Sequence, residues 1–159
     1  MKKRLLFILI ALCMLVSNTV LAAPIQPDQI TVRGLSMKST SQQVKQVMGE
    51  PFRTGHYYTE NYWGGYSDIM YEYPGVNFVF TGSLIKIILD GPQVALANGL
   101  KVGVSSGFVV NTLGSEYRST DNGMAYDCIV DPVSYEIGSL TFVVDGKTVK
   151  KILIEKRKG

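Results

Sequence analysis

The feature that most constrains this chain is that it says the same thing twice. Gly34–Arg53, "GLSMKSTSQQVKQVMGEPFR", returns 65 residues later as Gly99–Arg118, "GLKVGVSSGFVVNTLGSEYR". Identical pairs are Gly34/Gly99, Leu35/Leu100, Ser41/Ser106, Val44/Val109, Gly49/Gly114 and Arg53/Arg118. Further on, "MYEYPGVNFVFTGSLIKIIL" from Met70 matches "SYEIGSLTFVVDGKTVKKIL" from Ser134, with the offset one residue shorter. The identities there include Tyr71/Tyr135, Glu72/Glu136, Phe78/Phe142, Gly82/Gly146, Lys86/Lys150 and Leu89/Leu153. Two matched blocks in the same order predict a duplicated unit of about 64 residues.

Each unit has a readable local pattern. Ser39–Ser41 and Ser105–Ser106 can cap a helix. Val44, Val47 and Met48 then fall on one helical face, as do Val109, Thr112 and Leu113. Gly49 and Gly114 supply the left-handed residue that ends such a helix. A helix of about nine residues is too short to stand alone in water and needs a sheet to cover. The period then changes to two: Val76, Phe78 and Phe80 alternate with Asn77 and Val79, and Leu140, Phe142 and Val144 with Thr141 and Val143. Thr81-Gly82 and Asp145-Gly146 read as hairpin turns, with return strands near Leu84–Leu89 and Thr148–Ile154. The expected fold is therefore α+β: two tandem repeats, each a short α-helix packed on a three- to four-stranded antiparallel β-sheet, at 23–92 and 93–159.

Residues 1–22 are kept out of that fold. Lys2, Lys3 and Arg4 precede an apolar run from Leu5 to Val16, and small residues close the segment at Ala22 and Ala23, the pattern of a secretory signal peptide cleaved after Ala22. The run is shorter than the roughly 20 residues that span a bilayer. The formal charge of +3 rests on this segment, since without Lys2, Lys3 and Arg4 the 16 basic and 13 acidic residues become 13 and 13. A near-neutral chain argues against nucleic-acid binding by phosphate neutralisation. Cys128 is the one cysteine beyond the signal, in the apolar context "YDCIVDP", so no intrachain disulfide is expected and burial in a strand is.

The pattern "GL-x-x-x-x-S-x-x-x-V-x-x-x-(M/L)-G-x-(P/E)-(F/Y)", followed by an aromatic meander and "F-V-x-x-G-x-(I/V)-K-x-I-L", resembles the superfamily of the secreted β-lactamase-inhibitor proteins and the small outer-membrane assembly lipoproteins (SmpA/OmlA-like). The resemblance implies a helix-plus-sheet unit, present twice in the inhibitors and once in the lipoproteins, and speaks for fold rather than activity. The chain differs from the lipoproteins in lacking a lipobox cysteine, and from the inhibitors in lacking paired cysteines.

If duplication made the scaffold, differences between copies are where a role is added. Between helix and meander the first copy reads "TGHYYTENYWGGYSDI", and the second "STDNGMAYDCIVDPV". The first gathers Tyr57, Tyr58, Tyr62, Trp63 and Tyr66 in ten residues around a Gly pair. Tyr and Trp carry large rigid faces with polar tips and dominate interaction hot spots, so these five are the expected partner-binding residues. Some of the rings, Tyr71 and Tyr73 above all, are read as sheet core. Lys150, Lys151, Lys156 and Arg157 form a secondary basic surface near the C-terminus, suited to an anionic partner or simply to keeping a strand edge soluble. Asp121, Asp127 and Asp131 lack the ligand spacing of an EF-hand loop, so no metal is expected. His56 is the only histidine, and no Gly-x-Ser-x-Gly, HExxH or Cys/His metal spacing is present; no catalytic residues and no cofactor are expected.

The functional expectation is an exported, non-catalytic binding protein, periplasmic or secreted, that engages a protein or cell-envelope partner through its sheet faces and the aromatic loop. Inhibition of a secreted enzyme through the Trp63 tip, and envelope assembly through the basic strand, are the alternatives.

Overall fold

The computed structural model describes residues 23–59 and 66–157. Two helices form where the sequence provides caps. Helix α1 (Ser41–Met48) begins after Thr40, whose hydroxyl accepts the Gln43 N–H at 3.2 Å while the Gln43 side chain accepts the Thr40 N–H at 2.8 Å, a reciprocal capping box. Helix α2 (Ser106–Leu113) begins after Ser105, whose hydroxyl accepts the Phe108 N–H at 3.1 Å. Gly49 and Gly114 end the helices at φ of 85° and 94°, a conformation that strains any residue with a Cβ.

The strands are β1 (Arg53–Thr59), β2 (Tyr66–Tyr73), β3 (Val76–Thr81), β4 (Ser83–Leu89), β5 (Arg118–Thr120), β6 (Gly123–Asp131), β7 (Glu136–Asp145) and β8 (Thr148–Lys156). They form one antiparallel sheet in the order β1-β2-β3-β4-β8-β7-β6-β5. This corrects the expectation of two tandem helix-on-sheet units. Among the described residues the architecture is a single, sheet-dominated layer of eight strands with two short α-helices and one 3-10 turn at Pro27–Ile30. The reason lies in the seam. As the last strands of their meanders, β4 and β8 would each leave a row of unpaired backbone groups beside Ile87, Leu89, Ile152 and Ile154. Pairing Lys86–Leu89 against Ile152–Glu155 satisfies both rows at once. Local periodicity counts strands but carries no information about which edges meet.

The short helices also explain why the sheet dominates. An eight-residue helix is about 12 Å long, and only Val44 of α1 and Val109 of α2 are buried. Loop residues complete the cover: Ile30, Val32, Leu35, Met37, Val94, Leu96 and Leu100 join the same core. Beneath them the sheet presents two unbroken cross-strand rows, Phe78–Ile87–Ile154–Leu140–Tyr126 and Val76–Leu89–Ile152–Phe142–Met124. Phe78 and Phe142 are fully buried, each contributing about 2–3 kcal/mol of apolar transfer free energy. The core is continuous across the 92/93 division expected from the repeat.

Register also revises the alignment of the two halves. Arg53 pairs with Glu72, and Arg118 with Ala125, so Tyr73 and Tyr126 hold matching places. Tyr73 donates its hydroxyl hydrogen to the Gly49 carbonyl at 3.0 Å, and Tyr126 to that of Gly114 at 2.9 Å. Each ring stands edge-on to a core phenylalanine, Phe78 at 5.9 Å and Phe142 at 6.0 Å. The sequence pairing of Tyr71 with Tyr135 and Glu72 with Glu136 fails in space. Tyr135 lies in the β6–β7 turn at φ 53°, and Glu136 faces Asp131 rather than a counterpart of Asn77. Among the described residues no helix is long and apolar enough to cross a membrane.

Candidate functional site

Alternation in a strand sends every second side chain away from the core, and among the described residues no helix packs on that side. Among the described residues, every buried apolar side chain of a helix or loop belongs to the core described above. The buried apolar residues outside it, Val79, Ile88, Ala125 and Ile129, are all strand residues on the opposite face. Two register rows cross that open face. One runs Gly55–Met70–Val79–Lys86–Glu155–Ser139–Asp127 over seven strands. The other runs Arg53–Glu72–Asn77–Ile88–Leu153–Thr141–Ala125–Arg118 over all eight. Met70, Val79, Ile88, Leu153 and Ala125 make an apolar strip, and ion pairs flank it: Arg53–Glu72 at 3.6 Å on one side, and Asp127 with Arg118 at 3.4 Å and Arg157 at 2.5 Å on the other.

Lys86 holds the middle of this face. Its ammonium lies 2.5 Å from a Glu155 carboxylate oxygen, donates to the Tyr57 hydroxyl at 3.0 Å, and stands 4.7 Å from the Tyr57 ring centre. Burial alone would lower its pKa, but the hydrogen bonds to Glu155 and Tyr57 outweigh that and raise it above the ordinary lysine value. Beside Tyr57 in register is Asp68, a buried carboxylate that accepts the Thr81 hydroxyl. The face thus carries a charged pair, Lys86 and Glu155, at its middle, set among apolar residues of which Val79, Ile88 and Ala125 are already buried, with further ion pairs at its margins.

The expected partner-binding residues are divided among different surfaces. Tyr57 and Tyr58 are adjacent in β1 and so face opposite ways: Tyr57 joins the open face, whereas Tyr58 lies on the helix side, 74% exposed. Tyr66 starts β2 opposite Thr59. Tyr62 and Trp63 lie outside the described residues. Of the basic surface, Lys156 pairs with Glu136 at 3.5 Å and Arg157 with Asp127, while Lys150 and Lys151 are exposed. The carboxylates considered for a metal are engaged otherwise: Asp127 by the two arginines, and Asp131 by Lys38 at 3.0 Å. Cys128 is buried on the helix side, and burial first, then the Asp127 charge, pushes its thiol up to about 12.

Sequence reasoning missed Lys86, Glu155 and Asp68. A signal was present for the first two. Ile87 and Leu89 are core by alternation, so Lys86 must face the other way with Ile88, and an apolar residue on that second face marks it as more than a solvated surface. Also missed was the β6–β7 tip, where Val133 and Tyr135 are 81% and 74% exposed. The Asp131 carboxylate braces this tip by accepting the Val133 N–H at 2.8 Å. A cleft of about 310 Å³ opens at the β6 side, between Pro24, Ile25, Leu113, Tyr117, Tyr126 and Asp127.

No protein-family model matches the chain, and no curated protein matches it. Among solved structures, a similar one is that of an extracellular protein containing a SCP domain from Bacillus anthracis str. Ames, at 14% sequence identity and a TM-score of 0.49. The match covers 89% of this chain and 46% of that one, so this chain spans under half of its length.

Proposed function

We propose that this is an exported, non-catalytic binding protein of the cell envelope or secreted fraction that holds a protein partner across the open face of its sheet. One observation supports the reading: a face of eight strands with half-buried Met70 and Leu153, a central Lys86–Glu155 pair and further ion pairs at its margins, over which no described helix or loop buries a side chain. The N-terminal segment ending at Ala22 supports export. A second reading, inhibition of a secreted enzyme by an inserted loop, draws support from the β6–β7 tip, where Tyr135 projects from a positive-φ backbone braced by Asp131.

The test is capture of partners from the producing cell's envelope and secreted fractions by wild type, Thr141→Arg, Tyr135→Ala and Trp63→Ala. Thr141 lies between Ala125 and Leu153 in the long row, half-buried with its hydroxyl 3.2 Å from that of Ser139, so arginine there blocks the face, and its capture counts only when its melting matches wild type. Loss of a captured protein with Thr141→Arg alone supports the face. Loss with Tyr135→Ala or Trp63→Ala alone moves the site to the β6–β7 tip or to Trp63 and favours inhibition. Equal capture by all four proteins sinks both readings.

A further inference from the structure

The two edges of the sheet are treated differently by the chain. At one edge β5 is only Arg118–Thr120, and the neighbouring strand continues past it. That stretch of β6 is closed by the N-terminal segment: the Ile25 N–H donates to the Asp127 carbonyl at 3.1 Å, and the Ile129 N–H to the Ile25 carbonyl at 2.9 Å. At the other edge β1 runs Arg53–Thr59 in unbroken register with β2. It carries no proline, lysine or bulge, the devices that normally keep an exposed edge from pairing. Its helix side displays Tyr58, 74% exposed, beside Ile69 at 46%, and Phe52, 67% exposed, stands just before the strand.

We propose that β1 pairs antiparallel with β1 of a second copy of this chain, about a two-fold axis at His56, to give a continuous sixteen-stranded sheet. The strand is self-complementary in that register. Thr54 stands opposite Tyr58 of the second copy, Gly55 opposite Tyr57, and His56 opposite His56. Tyr57, whose ring is held over Lys86 of its own sheet, thus meets no side chain of the second copy directly opposite. Tyr58 falls diagonal to Phe52 of the second copy, within reach of an aromatic contact, and the two-fold axis makes that contact twice. The one formal charge of the strand, Arg53, is already tied to Glu72 and faces the Thr59 position, so no like charges oppose. Four half-to-mostly exposed rings bring on the order of 500 Å². With Ile69, His56 and the strand backbones the buried total reaches on the order of 1,000 Å², the lower range for a specific interface. A second copy fits this edge because the edge complements itself. The proposal does not depend on what the open face holds.

Cysteine cross-linking of the chain from Ala23 onward tests both dimer and register. Opposed Cα atoms in an antiparallel pair lie about 4.5–5.5 Å apart, within disulfide range. His56→Cys is expected to form a covalent dimer under mild oxidation. Thr54→Cys and Tyr58→Cys, each alone, are not expected to do so, whereas their mixture is. Cys128 is buried and supplies no competing thiol. In sedimentation equilibrium, Tyr58→Lys is expected to raise the dimer dissociation constant by at least about tenfold, with its circular dichroism and melting unchanged. A wild-type protein that stays monomeric at about 200 μM, a coupling far weaker than 1 μM-class association, overturns the proposal. So does a dimer whose cross-links ignore the predicted register, or one that Tyr58→Lys leaves intact.

Discussion

Gly138 in β7 tests the seam of the sheet most directly. It sits opposite Cys128 of β6 and Lys156 of β8. A Cβ placed there would meet the Val130 Cγ1 atom, and would come within 2.5 Å of the Glu155 carbonyl oxygen. That is about 1 Å inside ordinary van der Waals separation. Val130 can rotate, but the Glu155 carbonyl belongs to the backbone of β8 and cannot move without disturbing the ladder. Gly138→Ala therefore falls at the upper end of overpacking costs, about 3 kcal/mol. For a domain of this size that lowers Tm by about 10 °C. The companion Gly107→Ala lies in α2, where the nearest atom to the new Cβ is Ser105 Oγ at 3.9 Å. Removing helical glycine there raises stability by about 0.5–1 kcal/mol. Both are measured by differential scanning calorimetry on the same day in the same buffer. If Gly138→Ala melts within about 2 °C of wild type, less than 1 kcal/mol, the pairing of β7 with β6 and β8 is wrong. A relief variant sharpens the result: adding Val130→Ala to Gly138→Ala removes one clash and leaves the carbonyl, so most of the loss remains.

Three further outcomes are expected. The Cys128 thiol, raised to about 12, reacts with a maleimide at pH 8 at least about 100-fold more slowly than a free cysteine, and at the free rate in urea; fast labelling of native protein would place the thiol at the surface. Tyr73→Phe and Tyr126→Phe each remove one hydroxyl bond to a helix-ending carbonyl and each lower stability by about 1 kcal/mol, with the double variant additive in urea denaturation; a cost in one half only would deny the matched roles. The Lys38 ammonium, then the Val133 N–H, lowers the Asp131 carboxyl from 3.8 to about 2. Its folded pKa lies below the unfolded one, so its stabilisation is full above about pH 4 and is lost as pH falls through 2. Asp131→Asn is expected to flatten the acid limb of a Tm-against-pH curve in that window, and an unchanged limb would show the brace to be unimportant.

What the sequence determined by itself is local. Ser and Thr caps, Gly49 and Gly114, and the change of period from 3.6 to 2 depend on neighbours within a few residues, and α1, α2, β3, β4, β7 and β8 appear where those signals stand. Burial of Cys128 was legible for the same reason, being written in the apolar residues on either side. Tertiary structure decided the rest. Whether two meanders remain separate or fuse depends on the free energy of two distant edges, β4 and β8, meeting across 60-odd residues. The periodicity of either half is blind to that. The aromatic run from Tyr57 to Tyr66 reads as one surface because sequence is one-dimensional. Tyr57 and Tyr58 lie on a strand that alternates, so one joined Lys86 and Glu155 on the open face, and the other was left on the edge. Lys86 and Glu155 are 69 residues apart, and only the register of β4 against β8 brings their charges to 2.5 Å. A chain announces its elements through short-range sterics and solvation, but the site is made by long-range pairing, which no short window contains.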